Sequence, residues 1–179
     1  VQRYLNENGN LLLTIEPGEA ENVQRLLEHL GITVQNGVII DPDTTAQYRI
    51  ENPAFVPATT LSQHAVTENL QEAVLFPRGC ALQIDDLLNS SFVPIVSSAV
   101  SAALMSKGQM QVSKSALAIA VANSGRNSGR IAVICDGDFL ANSFIGNAEN
   151  LQFGFNLINW LTSQPKSIKI VRPQAKDAK

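Results

Sequence analysis

Cysteine, histidine, positive charge and long apolar runs are all scarce in this chain of 179 residues. Each scarcity closes a class of function. Cys80 and Cys135 are too few for a disulfide scaffold or a cysteine-rich zinc site, although one bridge stays arithmetically possible. Thirteen Lys and Arg against sixteen Asp and Glu leave a formal charge of −3, with no general attraction to nucleic acid or anionic lipid. No stretch of about 20 apolar residues could span a bilayer. No basic-then-apolar leader precedes the first strand, and the chain opens at Val1, so it reads as an excised soluble piece. Internal repeats and low-complexity segments are absent as well.

Hydrolytic chemistry is equally thin. A thiol hydrolase needs an activated Cys with a His in reach, and only His29 and His64 are available. Cys80 lies in Arg78-Gly79-Cys80-Ala81-Leu82 without the spacing of a nucleophile elbow, Cys135 closes an apolar run as inert buried thiols do, and no Gly-x-Ser-x-Gly occurs. Gly125-Arg126-Asn127-Ser128-Gly129-Arg130 links two β-like runs, so it reads as a hairpin-like connection, not a phosphate cradle at a helix start.

What is present is an α/β rhythm. Val1, Tyr4 and Leu5 fit one helix face, and Gly9 can end that helix before the strand Leu11-Leu12-Leu13-Thr14-Ile15. Val23, Leu26, Leu27 and Leu30 predict a second helix stopped by Gly31. Residues 32–34 and 38–40 read as short strands or a turn. Residues 41–63 read as a long surface excursion with a possible strand at 47–51, and 92–105 as a buried strand followed by helix or loop. Residues 73–77, 80–84, 115–122, 130–135 and 167–171 complete the strands. The helix after Asn147 would bury Leu151, Phe155, Ile158 and Leu161, and Pro165 would stop it.

Two Asp-x-Asp motifs end apolar runs. Asp41-Pro42-Asp43-Thr44-Thr45 has the form used by haloacid-dehalogenase-type phosphatases, in which paired carboxylates hold magnesium beside a phosphate. That chemistry also needs a positioned Lys and further acids, so a solvated turn is the plainer reading. Asp136-Gly137-Asp138 lies where α/β sheets place ligands, beyond the carboxyl end of a strand. A helix cap would bond Asp138 to backbone amides, whereas a metal site would converge both carboxylates with a third oxygen donor. The cap or turn is the expectation there, with no metal and no cofactor.

The order Gly9-Asn10-Leu11-Leu12-Leu13, Gly37-Val38-Ile39-Ile40-Asp41-Pro42, His64-Ala65-Val66-Thr67, Leu75-Phe76-Pro77, Asp136-Gly137-Asp138-Phe139-Leu140-Ala141-Asn142 and Asn159-Trp160-Leu161 resembles the soluble domain of ABC-transporter auxiliary proteins of the gliding-motility-associated group. This family usually has His-Pro at His64-Ala65 and Gly-Asp-Ser-Asp-Phe at Cys135-Asp136-Gly137-Asp138-Phe139. The resemblance implies a three-layer α/β domain over residues 1–171, mostly parallel and flavodoxin-like or class I glutamine amidotransferase-like, lacking its first strand and followed by a basic tail at 172–179. It also implies a non-catalytic module of a membrane-associated transport complex, extracytoplasmic, anchored by segments outside this chain, with an ABC permease and ATPase as partners and no nucleic acid. Asp136, Asp138, Asn142 and His64 would contact a partner or polar ligand. The rival is a phosphatase-like or degenerate amidotransferase-like hydrolase.

Overall fold

The strands β1 (Leu11–Thr14) and β12 (Ile131–Ile134) run side by side and parallel, pairing Leu11 with Ile131 and Thr14 with Ile134. They come from opposite ends of the chain. The computed structural model describes residues 1–85, 91–123 and 129–162, and the expected strand at 167–171, the basic tail and the connection at 124–128 fall outside them.

Every other pairing among the described strands is antiparallel. In the main sheet β12 is followed by β11 (Ala118–Asn123), β7 (Ala81–Ile84) and β2 (Ile32–Gln35), while β8 (Phe92–Ser97) also pairs with β11, and β5 (Thr60–Leu61) with β8. A second sheet joins β10 (Gln109–Val112), β9 (Ala103–Ser106) and β3 (Val38–Ile40); a third pairs β4 (Phe55–Ala58) with β6 (Val74–Pro77). Four short helices accompany them: α1 (Gln2–Asn6), α2 (Gln24–Leu30), α3 (Pro42–Gln47) and α4 (Asn150–Leu161).

The architecture therefore overturns the expected three-layer, mostly parallel sheet of flavodoxin-like or amidotransferase-like type. Parallel pairing needs a crossover between consecutive strands, and here most neighbours come from distant stretches meeting head to tail. The stretch 41–63 is not a surface excursion. It forms α3, β4 and β5, with Val56 and Ala58 fully buried, and residues 47–51 are the end of α3 and a turn. Likewise β8 leads to another strand, β9, with no helix between. Residues 32–35 and 38–40 form separate strands in different sheets, with Gly37 at φ 143° between them. Methionine 105's carbonyl would lie 2.7 Å from a Cβ at that glycine, so the crossing needs a residue without one.

The core gathers Ile39, Val56, Phe76, Ile119, Val121, Val133, Phe139, Phe153 and Leu157, all fully buried. Phe76, Phe139 and Phe153 pack with ring centroids 5.4–6.3 Å apart, within the range of favourable edge and tilted contacts. They lock α4 onto β6 and the turn after β12. In α1, Val1 and Tyr4 are exposed, so only Leu5 of the expected face packs inward.

The inward face of α4 differs from the apolar stripe expected of it. Phe153, Leu157, Trp160 and Leu161 are buried, Ile158 is exposed, and the polar Asn150, Gln152 and Asn156 point inward. Buried amides are tolerated when they are hydrogen-bonded. Asn150 Oδ1 accepts from Leu75 N (2.8 Å), and its Nδ2 donates to the carbonyls of Leu75, Phe139 and Phe144. Asn156 Nδ2 donates to the carbonyls of Val66 and Glu68. These polar anchors rotate the helix away from the orientation its apolar residues alone suggest.

Candidate functional site

Each strand of the parallel pair runs on by one apolar residue and then meets an acid. After β1 come Ile15 and Glu16; after β12 come Cys135 and Asp136. Because the two strands are parallel neighbours in matched register, Glu16 and Asp136 reach the same end of the sheet. Ile15 N donates to Ile134 O at 2.9 Å, continuing the ladder to that end.

There the chain turns sharply. Asp136 has φ 139°, a conformation L-residues rarely adopt. Its Oδ1 accepts from Asp138 N at 2.8 Å, and Glu16 Oε1 accepts from Gly137 N at 2.7 Å. A Cβ at residue 137 would lie 3.1 Å from Thr14 Oγ1 and 3.2 Å from Glu16 Oε1, so a larger residue there would have to push these side chains aside by a few tenths of an ångström. The 3-10 turn Asp138–Leu140 follows, without a side-chain cap bond.

Three carboxylates thus converge. Glu16, Asp136 and Asp138 each bring an oxygen to within 4.8 Å of the others. Asp136 is fully buried, Glu16 half-buried and Asp138 exposed, so the cluster opens to solvent on one side only. No protein group donates to the buried Asp136 Oδ2. Burial pushes the Asp136 carboxyl up to about 8, and the charges of Glu16 and Asp138 add to the rise, while the amides of Asp138 and Phe139 oppose it. Of the expected cap or turn, the turn is what forms, with Asp136 and not Asp138 making its bond; α4 begins twelve residues further on at Asn150 with Glu149 as its N-cap, and a third oxygen donor, Glu16, is present.

The other nominated residues lie apart. Asn142 is exposed beyond the 3-10 turn. His64 is near the opposite end of β12: its ring meets that of Trp160 edge-on at 5.1 Å and bonds the backbone of Asn123, whose side-chain oxygen accepts from Ile131 N. Its Nδ1 accepts from Val66 N, and burial lowers its pKa despite the Asn123 contact. Together with Ser62, Thr67 and Glu68, His64 lines an open cleft of about 650 Å³. Sequence reasoning missed Glu16, whose signal was an acid between the end of a strand and Pro17-Gly18, mirroring Asp136.

The hydrolase candidates are committed elsewhere. Cys80 and Cys135 form a disulfide. Asp41 is no solvated turn residue: it is fully buried, caps α3 by accepting from Thr44 N at 3.1 Å, and accepts from Ser101 Oγ at 3.0 Å, while Asp43 is exposed. A cleft of about 740 Å³ between β7, β8 and the β9–β10 hairpin is lined by Leu82, Phe92, Leu104 and Val112, with no titratable side chain among the described residues of its walls. Among the described residues no helix is long and apolar enough to cross a membrane.

No protein-family model matches the chain, and no curated protein matches it in sequence. Among solved structures the mmIFT52 N-terminal domain superposes with a TM-score of 0.71 at 19% identity, over 93% of this chain and 71% of that one. The likeness is one of fold. A ThuA-like protein from Bacteroides uniformis is also similar, with a TM-score of 0.45 at 16% identity over 93% of this chain and 63% of that one.

Proposed function

We propose that the chain is a non-catalytic recognition domain serving a membrane-associated transport assembly, with a permease and an ATPase of the ABC type among its partners. The reading is supported by the ordered motifs that resemble the auxiliary-protein family, and above all by how the reactive side chains are used. The observation that carries it is the Cys80–Cys135 disulfide, which ties up both thiols. A disulfide sulfur is no nucleophile toward an ester or amide. Asp41 is occupied in a helix cap, and His64 serves a turn at the far end of β12 from the acidic corner.

Asp138, the exposed acid of that corner, and Asn142, exposed beyond the 3-10 turn, belong to the surface through which a partner or polar ligand is engaged. The test is a binding titration of the whole chain against the purified permease and ATPase encoded alongside it. Saturable binding that weakens about tenfold or more in Asp138→Lys supports the reading, since reversing one interface charge typically costs 1–3 kcal/mol. A parallel assay uses ester, amide and phosphomonoester substrates. Turnover that disappears in Asp41→Asn or in a Cys80→Ser, Cys135→Ser double variant overturns it.

A further inference from the structure

The acidic corner combines three features, of which the Asp41 cap shares only the last. Its donors come from two separate strand ends, they are all oxygen, and the most deeply buried of them has an oxygen left over. Asp136 is fully buried and its Oδ2 receives no hydrogen bond from the protein, although the turn is already made by Oδ1. A turn explains one carboxylate oxygen. It does not explain why the carboxylates of Glu16 and Asp138 both stand within 4.8 Å of this one.

Bringing Glu16 and Asp138 within 4.8 Å of Asp136 is unfavourable for ionised groups unless a proton or a cation lies among them, and a cation can displace that proton. Among the described residues no Lys, Arg or His pairs with the three carboxylates, and the ion pair found there, Arg3 with Glu7, is elsewhere. We propose that Glu16, Asp136 and Asp138 form a calcium-binding site at the carboxyl ends of β1 and β12. This goes beyond the recognition reading and stands without it.

The chemistry selects the ion. With Cys135 held in a disulfide and no imidazole in the cluster, the donor set is oxygen alone, which suits hard cations over zinc or copper. Calcium takes ligands at about 2.3–2.6 Å in flexible geometry, so two donors on one ion can stand as far apart as about 5 Å. Magnesium demands about 2.0–2.1 Å and near-octahedral order and gives up its waters reluctantly, so a cluster of protein carboxylates suits calcium better. Three protein carboxylates leave coordination positions for water, and the exposed side at Asp138 is where an ion enters and keeps it. A small site of this kind belongs with weak extracellular modules, at a dissociation constant of roughly 0.1–1 mM.

The experiment uses the whole oxidised chain after chelator treatment and dialysis, with calcium alone as probe, read by calorimetric titration and thermal unfolding. One site saturating in the expected range and a rise in Tm of about 3–8 °C at 10 mM calcium support the proposal. Magnesium at equal concentration should give less than half that shift. Asp136→Asn and Glu16→Gln should abolish the calcium response, whereas Asp43→Asn, an exposed acid of the other Asp-x-Asp corner, should retain it. If the buried variants fail to unfold cooperatively, the solvent-exposed Asp138→Asn replaces them and should weaken binding at least fivefold. A wild-type chain that ignores calcium overturns the proposal. So does a shift that survives Asp136→Asn and Glu16→Gln, and an equal response to magnesium overturns the choice of ion.

Discussion

Asp41-Pro42-Asp43 and Asp136-Gly137-Asp138 are the same acid-x-acid pattern after the same kind of apolar strand, and each begins with a fully buried aspartate. Around Asp41 the chain continues straight into a helix, so Oδ1 is taken by Thr44 N and by Ser101 Oγ, Oδ2 has no protein partner, as in Asp136, and Asp43 points to solvent. Around Asp136 the middle residue is glycine, not proline, and the chain folds back beside another strand end that carries its own acid. One corner is a local device and the other is a tertiary assembly. Proline at the first helical position preorganises the former; a missing Cβ eases the latter.

The largest effect should come from the bond that links the two corners. Gly79 O accepts from Ile39 N in the strand leading to Asp41, and the adjacent Cys80 is tied to Cys135, which precedes Asp136. The bridge closes a loop with a sequence separation of 55, so reduction, or Cys80→Ala with Cys135→Ala, should cost about 4 kcal/mol in denaturant unfolding. Both corners should loosen together, seen as faster amide exchange at Thr44 and Asp138.

Next, Asp136→Asn in calcium-free buffer should stabilise the protein, by about 3 kcal/mol at pH 8, because it removes a buried charge only one of whose oxygens is hydrogen-bonded by the protein. The pH dependence has a definite sign. Folded Asp136 holds its proton up to about 8 whereas the unfolded chain releases it near 3.8, so the native state binds the extra proton between those values and stability falls as pH rises through that window. Thermal melts across pH 4–9 should show that decline in wild type and its loss in the variant. Asp41→Ala should do the reverse, destabilising by about 2 kcal/mol through the lost cap and the abandoned Ser101 hydroxyl, with no calcium dependence.

The smallest effect concerns the other end of β12. His64 is packed against Trp160, bonded to Val66 N and the Asn123 backbone, and shares its cleft with Glu68. Burial lowers its folded pKa below 6.5, so the unfolded chain takes up the proton first and stability is lost as pH falls below 6.5. His64→Asn keeps an acceptor for Val66 N and should flatten only that acid limb of the stability profile.

Much of the fold was legible strand by strand. Leu11–Thr14, Val74–Pro77, Ala81–Ile84 and Ile131–Ile134 are apolar runs bounded by turn residues, and α2 shows its spacing and its Gly31 stop plainly. The pairing was not legible, because burial on both faces makes an antiparallel strand look like a parallel one. The tilt of α4 was hidden for a related reason: Asn150 and Asn156 are polar letters whose partners, the carbonyls of Leu75 and Val66, lie far away in the chain.

What the sequence by itself determined was local: which runs are apolar enough to bury, where proline and glycine stop them, and that an acid stands at three of those stops, Glu16, Asp41 and Asp136. Steric and hydrophobic preferences of neighbouring residues suffice for that. Tertiary structure alone decided that β1 lies parallel to β12, which carries Glu16 to Gly137 across 121 positions and turns a bend into a cluster of three carboxylates. Charges interact through space, and only the folded chain sets the distances between them.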